Sequence, residues 1–294
     1  MTGSIYDLGY RGYDGPRLGR RHAVSALVRH SLRSVFGIGR GGRAKIMPLV
    51  CLGLPVLIAL IFVGIRALVA RGGVGDIRVV PGHDGMYSAI AVFPVLFVAA
   101  QAPELLGRDQ RYRVLTLYFS RALRRVDYAV AKLVALSLGV LAIVLVPQVI
   151  LSGGAILASP DLPAALTTEA GALPAIVGSS VLIAVVSAAF ALAIASVAPR
   201  RMYATAAIFG AFIIPGIVAA IVIGLDLGSV ARWVVLIDIG SLLDGVNAFA
   251  FGVDPTGQPV LNSDVPVEVL TAAAIVLGGG STLALVWRYL RIQA

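Results

Sequence analysis

The chain has 294 residues, of which 59% are hydrophobic and 13% charged, with a mean hydropathy of +0.93 and a formal net charge of +9. Soluble domains sit near 45–50% apolar and about 25% charged residues, so these values exclude an ordinary soluble fold and put the chain in a membrane. The basic surplus flanks apolar runs and forms no soluble basic domain, which excludes nucleic acid as a partner and points to orientation and to the anionic headgroups of membrane lipid.

The first 45 residues are a polar, arginine-rich leader. The first apolar run begins so far along that no secretory signal peptide is read. Within the leader, HAVSALVRHSLRSVF places Val24, Leu27, Val28, Ser31, Leu32, Val35 and Phe36 at helical spacing. Arg21, Ser25, Arg29 and Arg33 fall on another face. This pattern predicts an amphipathic helix in the membrane interface, with its apolar side in the acyl boundary and its arginines at the headgroups. Leu27, Val28, Arg29, Leu32, Arg33 and Phe36 are its candidate functional residues. GIGRGGRAK then supplies a flexible turn into the first span.

A bilayer core of about 30 Å needs roughly 20 apolar residues per helix. Six segments meet that length: Met47 to Val69, Tyr87 to Leu106, Ala129 to Leu151, Leu173 to Val197, Tyr203 to Ile223 and Val267 to Tyr289. Pro94, Pro103, Pro147 and Pro215 interrupt them, and each frees a backbone carbonyl that a neighbour must satisfy. Ser179, Ser180, Ser187 and Ser196 in the fourth span, and Gly278, Gly279 and Gly280 in the sixth, are small residues suited to close helix approach. No span carries a cluster of ionisable groups, each of which would cost at least about 2.5–3.5 kcal/mol at the midplane. Arg66 and Glu104 lie near span ends, where snorkelling or hydration is easier. Cys51, the sole cysteine, can form no intrachain disulfide, and His22, His30 and His83 are too scattered to join it as metal ligands.

Between the fifth and sixth spans, residues 226–266 contain WVVLIDIGSLLDGVNAFAF, which is apolar enough to suggest a seventh crossing. Asp238, Asp244, Gly240 and Gly245 argue against it, so the segment reads as re-entrant or interfacial on the outer side. With six spans and a cytoplasmic N-terminus, 20 of the 24 basic residues fall inside, leaving Arg66, Arg71, Arg78 and Arg232 outside. The positive-inside rule then gives an even number of crossings and two cytoplasmic ends. The expected fold is an all-α membrane protein of six transmembrane helices, with an N-terminal interfacial helix in the 1–45 leader and a transmembrane domain over 46–294. An outer re-entrant segment precedes the last helix.

The loop over 107–128 lies between the second and third spans. Val114, Leu117, Tyr118 and Arg121 are one turn apart, which predicts a short helix across the cytoplasmic face. Asp127 can cap the start of the third span.

Glu104, Arg108, Thr116 with Leu117, Ser120 with Arg121, Arg125 with Asp127 and Tyr128, and Lys132 together make this loop resemble that of the type-two ABC transporter permease family. The family pattern has a glycine before the T-L pair, an acidic residue after it and a proline before S-R. Here those positions hold Leu115, Tyr118 and Phe119. YRGYDGPRLGRRH and DGVNAFAFG extend the resemblance to the leader and to the segment before the last span. The resemblance implies the membrane subunit of an ABC exporter in the plasma membrane, with an ATPase-coupling loop built from Glu104, Arg108, Arg111, Leu115, Thr116, Leu117, Ser120, Arg121, Arg124, Arg125 and Asp127. It further implies two copies of an ATPase subunit carrying ATP and Mg, and a second permease chain in a homodimer or heterodimer. The sequence holds no G-x-x-x-x-G-K-[ST] element, so this chain is expected to bind no cofactor and catalyse nothing itself. Charge-poor, kinked spans suit a hydrophobic or amphipathic cargo such as a drug, a lipid or a lipid-linked metabolite, and would equally line a pathway for a polymer. A membrane scaffold or sensor without transport is the alternative that the same features allow.

Overall fold

The computed structural model describes residues 15, 18–71, 81–111, 118, 123–225 and 231–291, and every regular element among them is helical. With no water in a bilayer core, backbone polar groups must bond within their own segment, and an apolar helix does this. Five helices are long and apolar enough to cross: α2 (Arg43–Arg71), α5 (Arg125–Ala158), α6 (Leu162–Val197), α7 (Arg201–Gly224) and α10 (Val267–Arg291). A sixth crossing exists if α3 (His83–Ile90) and α4 (Val92–Arg111) count as one bent span. The protein is therefore an all-α, multi-pass membrane protein.

The expected second span is broken. α3 and α4 meet at a 49° bend around Ala91. Pro94 accounts for it, because a proline has no N–H for the carbonyl four residues back, here Ile90, and its ring clashes with that carbonyl. Pro103, Pro147 and Pro215 lie inside α4, α5 and α7, which continue through them.

The third and fourth spans are longer than expected. α5 has 34 residues and α6 has 36, so at ~1.5 Å per residue they reach about 51 and 54 Å, well past the ~30 Å core. α6 starts at Leu162 instead of Leu173 because Asp161 caps it, accepting the Ala164 N–H at 3.1 Å, with Pro163 in the first turn.

Residues 231–261 hold a 3-10 helix (Ala231–Ile237), α8 (Ile239–Phe251) and the short α9 (Gln258–Leu261). The 13 residues of α8 span about 20 Å at ~1.5 Å each, too short to cross. Asp238 starts α8 by accepting the Gly240 and Ser241 N–H groups at 3.1 and 3.0 Å.

α5 and α6 form the centre, each with 61% of its apolar window buried, whereas α2 and α7 are edge helices at 22% and 17%. α2 and α1 (Gly19–Val35) lie along α5, α10 and α8 pack on α6, and α4 fits between α6 and α7. Small residues set the closest approaches. A Cβ on Gly139 would meet the Phe97 ring at 2.7 Å and Val35 at 3.0 Å, so three helices converge there. On Gly278 it would meet Val186 at 2.9 Å, whereas Gly279 and Gly280 face open space. Ser179, Ser180, Ser187 and Ser196 are buried along α6, and Ser179 and Ser196 donate back to the carbonyls of Ala175 and Ala193 at 2.8 and 2.7 Å.

The amphipathic helix of the leader forms as α1, but its apolar stripe is not left to lipid alone. Leu27, Ser31 and Val35 are buried, with α5 as the main neighbour, and the Phe36 ring lies 6.1 Å from that of Phe97. Val28 and Leu32 are half-buried, and Arg29 and Arg33 are exposed. The chain turns into α2 at Gly37, whose φ of +68° and whose approach to the Ala44 carbonyl, 2.6 Å from a would-be Cβ, admit no side chain.

Candidate functional site

Charged side chains gather at two opposite ends of the bundle. At the arginine-rich end, the elements flanking residues 112–122 are tied to four others. Before that segment, Glu104 of α4 takes Arg40 Nη1 on Oε1 and Arg201 Nη1 on Oε2, both at 2.8 Å. Arg40 also donates to Ser34 Oγ. One carboxylate thus joins the turn after α1, α4 and the first turn of α7. Glu104 is therefore neutralised by two guanidinium groups instead of reaching for water, as its place near a span end had suggested. Asp109, one turn and a half further along, receives Lys132 Nζ at 2.7 Å and the Tyr128 hydroxyl at 2.8 Å.

After the segment, Asp127 forms a fork with Arg20 of α1, Nε to Oδ2 at 2.8 Å and Nη2 to Oδ1 at 2.6 Å. That hydrogen bond holds the Arg20 guanidinium above its ordinary pKa. Asp127 Oδ2 also accepts the Arg124 backbone N–H at 3.0 Å. The expected helix start is present, with Arg124 as the N-cap residue and Asp127 reaching back from the third position. Arg125 donates to the Leu290 carbonyl of α10 at 3.0 Å. The Tyr128 ring lies tilted against those of Tyr289, at 5.0 Å, and Tyr118, at 5.9 Å, with Lys132 Nζ 5.2 Å from its centroid. Burial, and then the charge of Asp109, raise the Tyr118 phenol above its usual pKa.

Of the residues expected to form a coupling loop, Glu104 and Asp127 are thus ion-paired at this end, Arg124 gives its backbone N–H to Asp127, and Arg125 bonds the Leu290 carbonyl. Arg108 and Arg111 lie in the last turns of α4, with side chains outside the described residues. Leu115, Thr116, Leu117, Ser120 and Arg121 lie outside them altogether, as does most of the short helix predicted across that face. The partners that sequence reading missed are Arg20, Arg40, Asp109, Arg201 and Tyr289. Arg20, Arg40, Asp109 and Arg201 read as ordinary surface residues in the sequence and Tyr289 as the end of a span, and nothing local in the chain points each to its partner.

The far end carries a second polar assembly. His83 Nδ1 lies 2.7 Å from Gln148 Oε1, and Nε2 lies 2.9 Å from Glu169 Oε2 and 3.4 Å from Ser152 Oγ. Gln148 Nε2 donates to the His83 carbonyl at 3.0 Å. Asn247 of α8 donates to the Asp84 carbonyl at 2.5 Å, and Asp244 accepts from Ser88 Oγ at 3.2 Å and from the Thr256 and Gly257 N–H groups at 2.8 and 2.9 Å. Arg66 donates to the Pro81 carbonyl at 3.0 Å, so this end of α2 is bonded to protein and does not simply snorkel. Among the described residues, no three His, Cys, Asp or Glu side chains are grouped to hold a metal ion.

The assembly at the arginine-rich end can bind six elements into a unit that moves together; the one at the far end ties α3 to α5, α6 and α8. No family model matches the chain, and no curated protein matches it.

Proposed function

We propose that the chain is the transmembrane permease subunit of an ATP-driven ABC exporter, lying in the plasma membrane with its arginine-rich end and both termini in the cytoplasm. In this reading α3 and α4 form one crossing, α1 lies in the inner interface, and α8 is re-entrant on the outer side. Two copies of an ATPase subunit bring ATP and Mg, and a second permease chain, identical or not, completes the pathway. The cargo is a hydrophobic or amphipathic molecule such as a drug, a lipid or a lipid-linked metabolite.

One observation carries the reading: both flanks of residues 112–122 are fastened by ion pairs to the rest of the cytoplasmic end, through Glu104 to Arg40 and Arg201 and through Asp127 to Arg20. A push on that segment by a closing ATPase pair would reach α1, α4, α5 and α7 together, which is what alternating access demands of a coupling element. Arg124 is exposed at this position and free of the core, so it suits contact with a partner.

Purification of the tagged chain in mild detergent from its native host tests the proposal. A stoichiometric ATP-binding subunit is expected, and it should be lost on charge reversal at Arg121 and Arg124. In vesicles holding both subunits, Arg124→Glu should insert normally yet uncouple ATP hydrolysis from transport, with transport falling at least about tenfold, the effect of ~1.4 kcal/mol of lost coupling. Normal transport by that variant removes the coupling assignment. Purification without any ATPase across several detergents favours a scaffold or sensor instead.

A further inference from the structure

We infer that His83 and Glu169 form a proton-operated latch at the far end of the bundle, tying the short helix α3 to the α5–α6 hairpin when a proton is bound between them and freeing α6 when it leaves. The inference does not depend on the transport reading.

Gln148 uses its amide nitrogen on the His83 carbonyl, which fixes its amide orientation and turns Oε1 toward Nδ1. Nδ1 must therefore donate. Nε2 faces Glu169 Oε2 at 2.9 Å, and an ionised carboxylate offers only acceptors. A neutral imidazole with its hydrogen on Nδ1 would set two lone pairs against each other there. The contact holds only if one extra proton sits on the ring or on the carboxyl group. Histidine is the side chain that ordinarily gains and loses its proton between about pH 5 and 8.

An alternative partner for the deprotonated ring is already in place. Ser152 Oγ stands 3.4 Å from Nε2 and can donate to it once the ring is neutral. Glu169 is then left without a donor from His83 and moves away to water. Both side chains are only about one-seventh exposed, 13% and 14%, so the pair is sheltered while remaining reachable by protons. The latch is therefore closed at low pH and opens as pH rises.

The charged and titratable groups around the site come from every element packed on α3. Arg66 of α2 is engaged with the Pro81 carbonyl. Asp84 and Tyr87 are on α3 itself, and Asp238 and Asp244 on α8 are satisfied by the amides and hydroxyls already named. Asp161 caps the first turn of α6. On α5, the ionisable side chains Arg125, Asp127, Tyr128 and Lys132 all lie at the opposite end.

Spin labels test the latch directly. In a Cys51→Ala background, labels on cysteines at the exposed positions Ala89 of α3 and Leu166 of α6 report the separation of these helices in lipid nanodiscs at pH 5.5 and pH 8.5. A shift toward longer, broader distances is expected at pH 8.5, and it should vanish in both His83→Gln and Glu169→Gln. If one variant fails to insert, the other decides. Identical distributions at the two pH values, or a shift that survives in either variant, overturn the latch.

Discussion

Lys132 is the side chain whose surroundings make its substitution most informative. It is 3% exposed on α5 and pairs with Asp109 of α4 at 2.7 Å. Removing one member of a buried pair leaves an uncompensated charge and costs roughly 3–5 kcal/mol, whereas replacing both by apolar side chains is often neutral. Lys132→Met should therefore lower thermal stability in detergent sharply, and Lys132→Met with Asp109→Leu should recover most of the loss. A double variant no better than the single one would show that Tyr128, not Lys132, is the main support of Asp109. The sequence makes Lys132 legible as a basic residue entering a span, and it makes Asp109 legible as one of a few acidic residues on that side. Their pairing is not legible, because nothing local in either segment points to the other. The same holds for Glu104 and Arg40, which are 64 residues apart.

Helices were the most readable feature, because a run of 20 or more apolar residues leaves the backbone no other choice in lipid. Their ends were less so. α6 gains three turns from Asp161 and Pro163, a cap that lies outside the hydrophobic window. The bend at Ala91 follows from Pro94, yet Pro103, Pro147 and Pro215 look the same in the sequence and leave their helices continuous. The three consecutive glycines of α10 were all candidates for close packing, and only one makes it. Gly278→Ala drives a Cβ into Val186 and should destabilise by about 1–3 kcal/mol, the usual effect of overpacking. Gly279→Ala meets nothing and should be neutral or stabilise by up to about 1 kcal/mol through helix propensity. Unfolding of the two variants side by side checks the contrast, and equal behaviour would contradict the packing of α10 on α6.

At the scale of the molecule, the proposed topology, with two cytoplasmic ends and six crossings, predicts a definite pattern of access. Cys51 is fully buried, so single cysteines can be introduced against a silent background. In intact cells, Thr167→Cys and Asp254→Cys should react with an impermeant thiol reagent, while Gly39→Cys and Arg200→Cys should react only after the membrane is opened. Labelling of all four from outside would exclude the proposed orientation. The proposed orientation rests on the division of charge, which depends on summed composition and not on contacts. The ion-paired assembly was readable only through its loop. The bend at Ala91 has a mechanical consequence. A continuous helix transmits both thrust and torque along its axis, but a helix interrupted by 49° yields at the interruption. A displacement entering at Glu104 therefore loses its axial component before it reaches α3, and the unbroken helices, α7 among them through Arg201, carry it from one end to the other. Deleting one residue midway along α5 would rotate its far half by about 100°, setting Gln148 and Ser152 out of register with His83, whereas the same deletion in α4 would be absorbed at the bend.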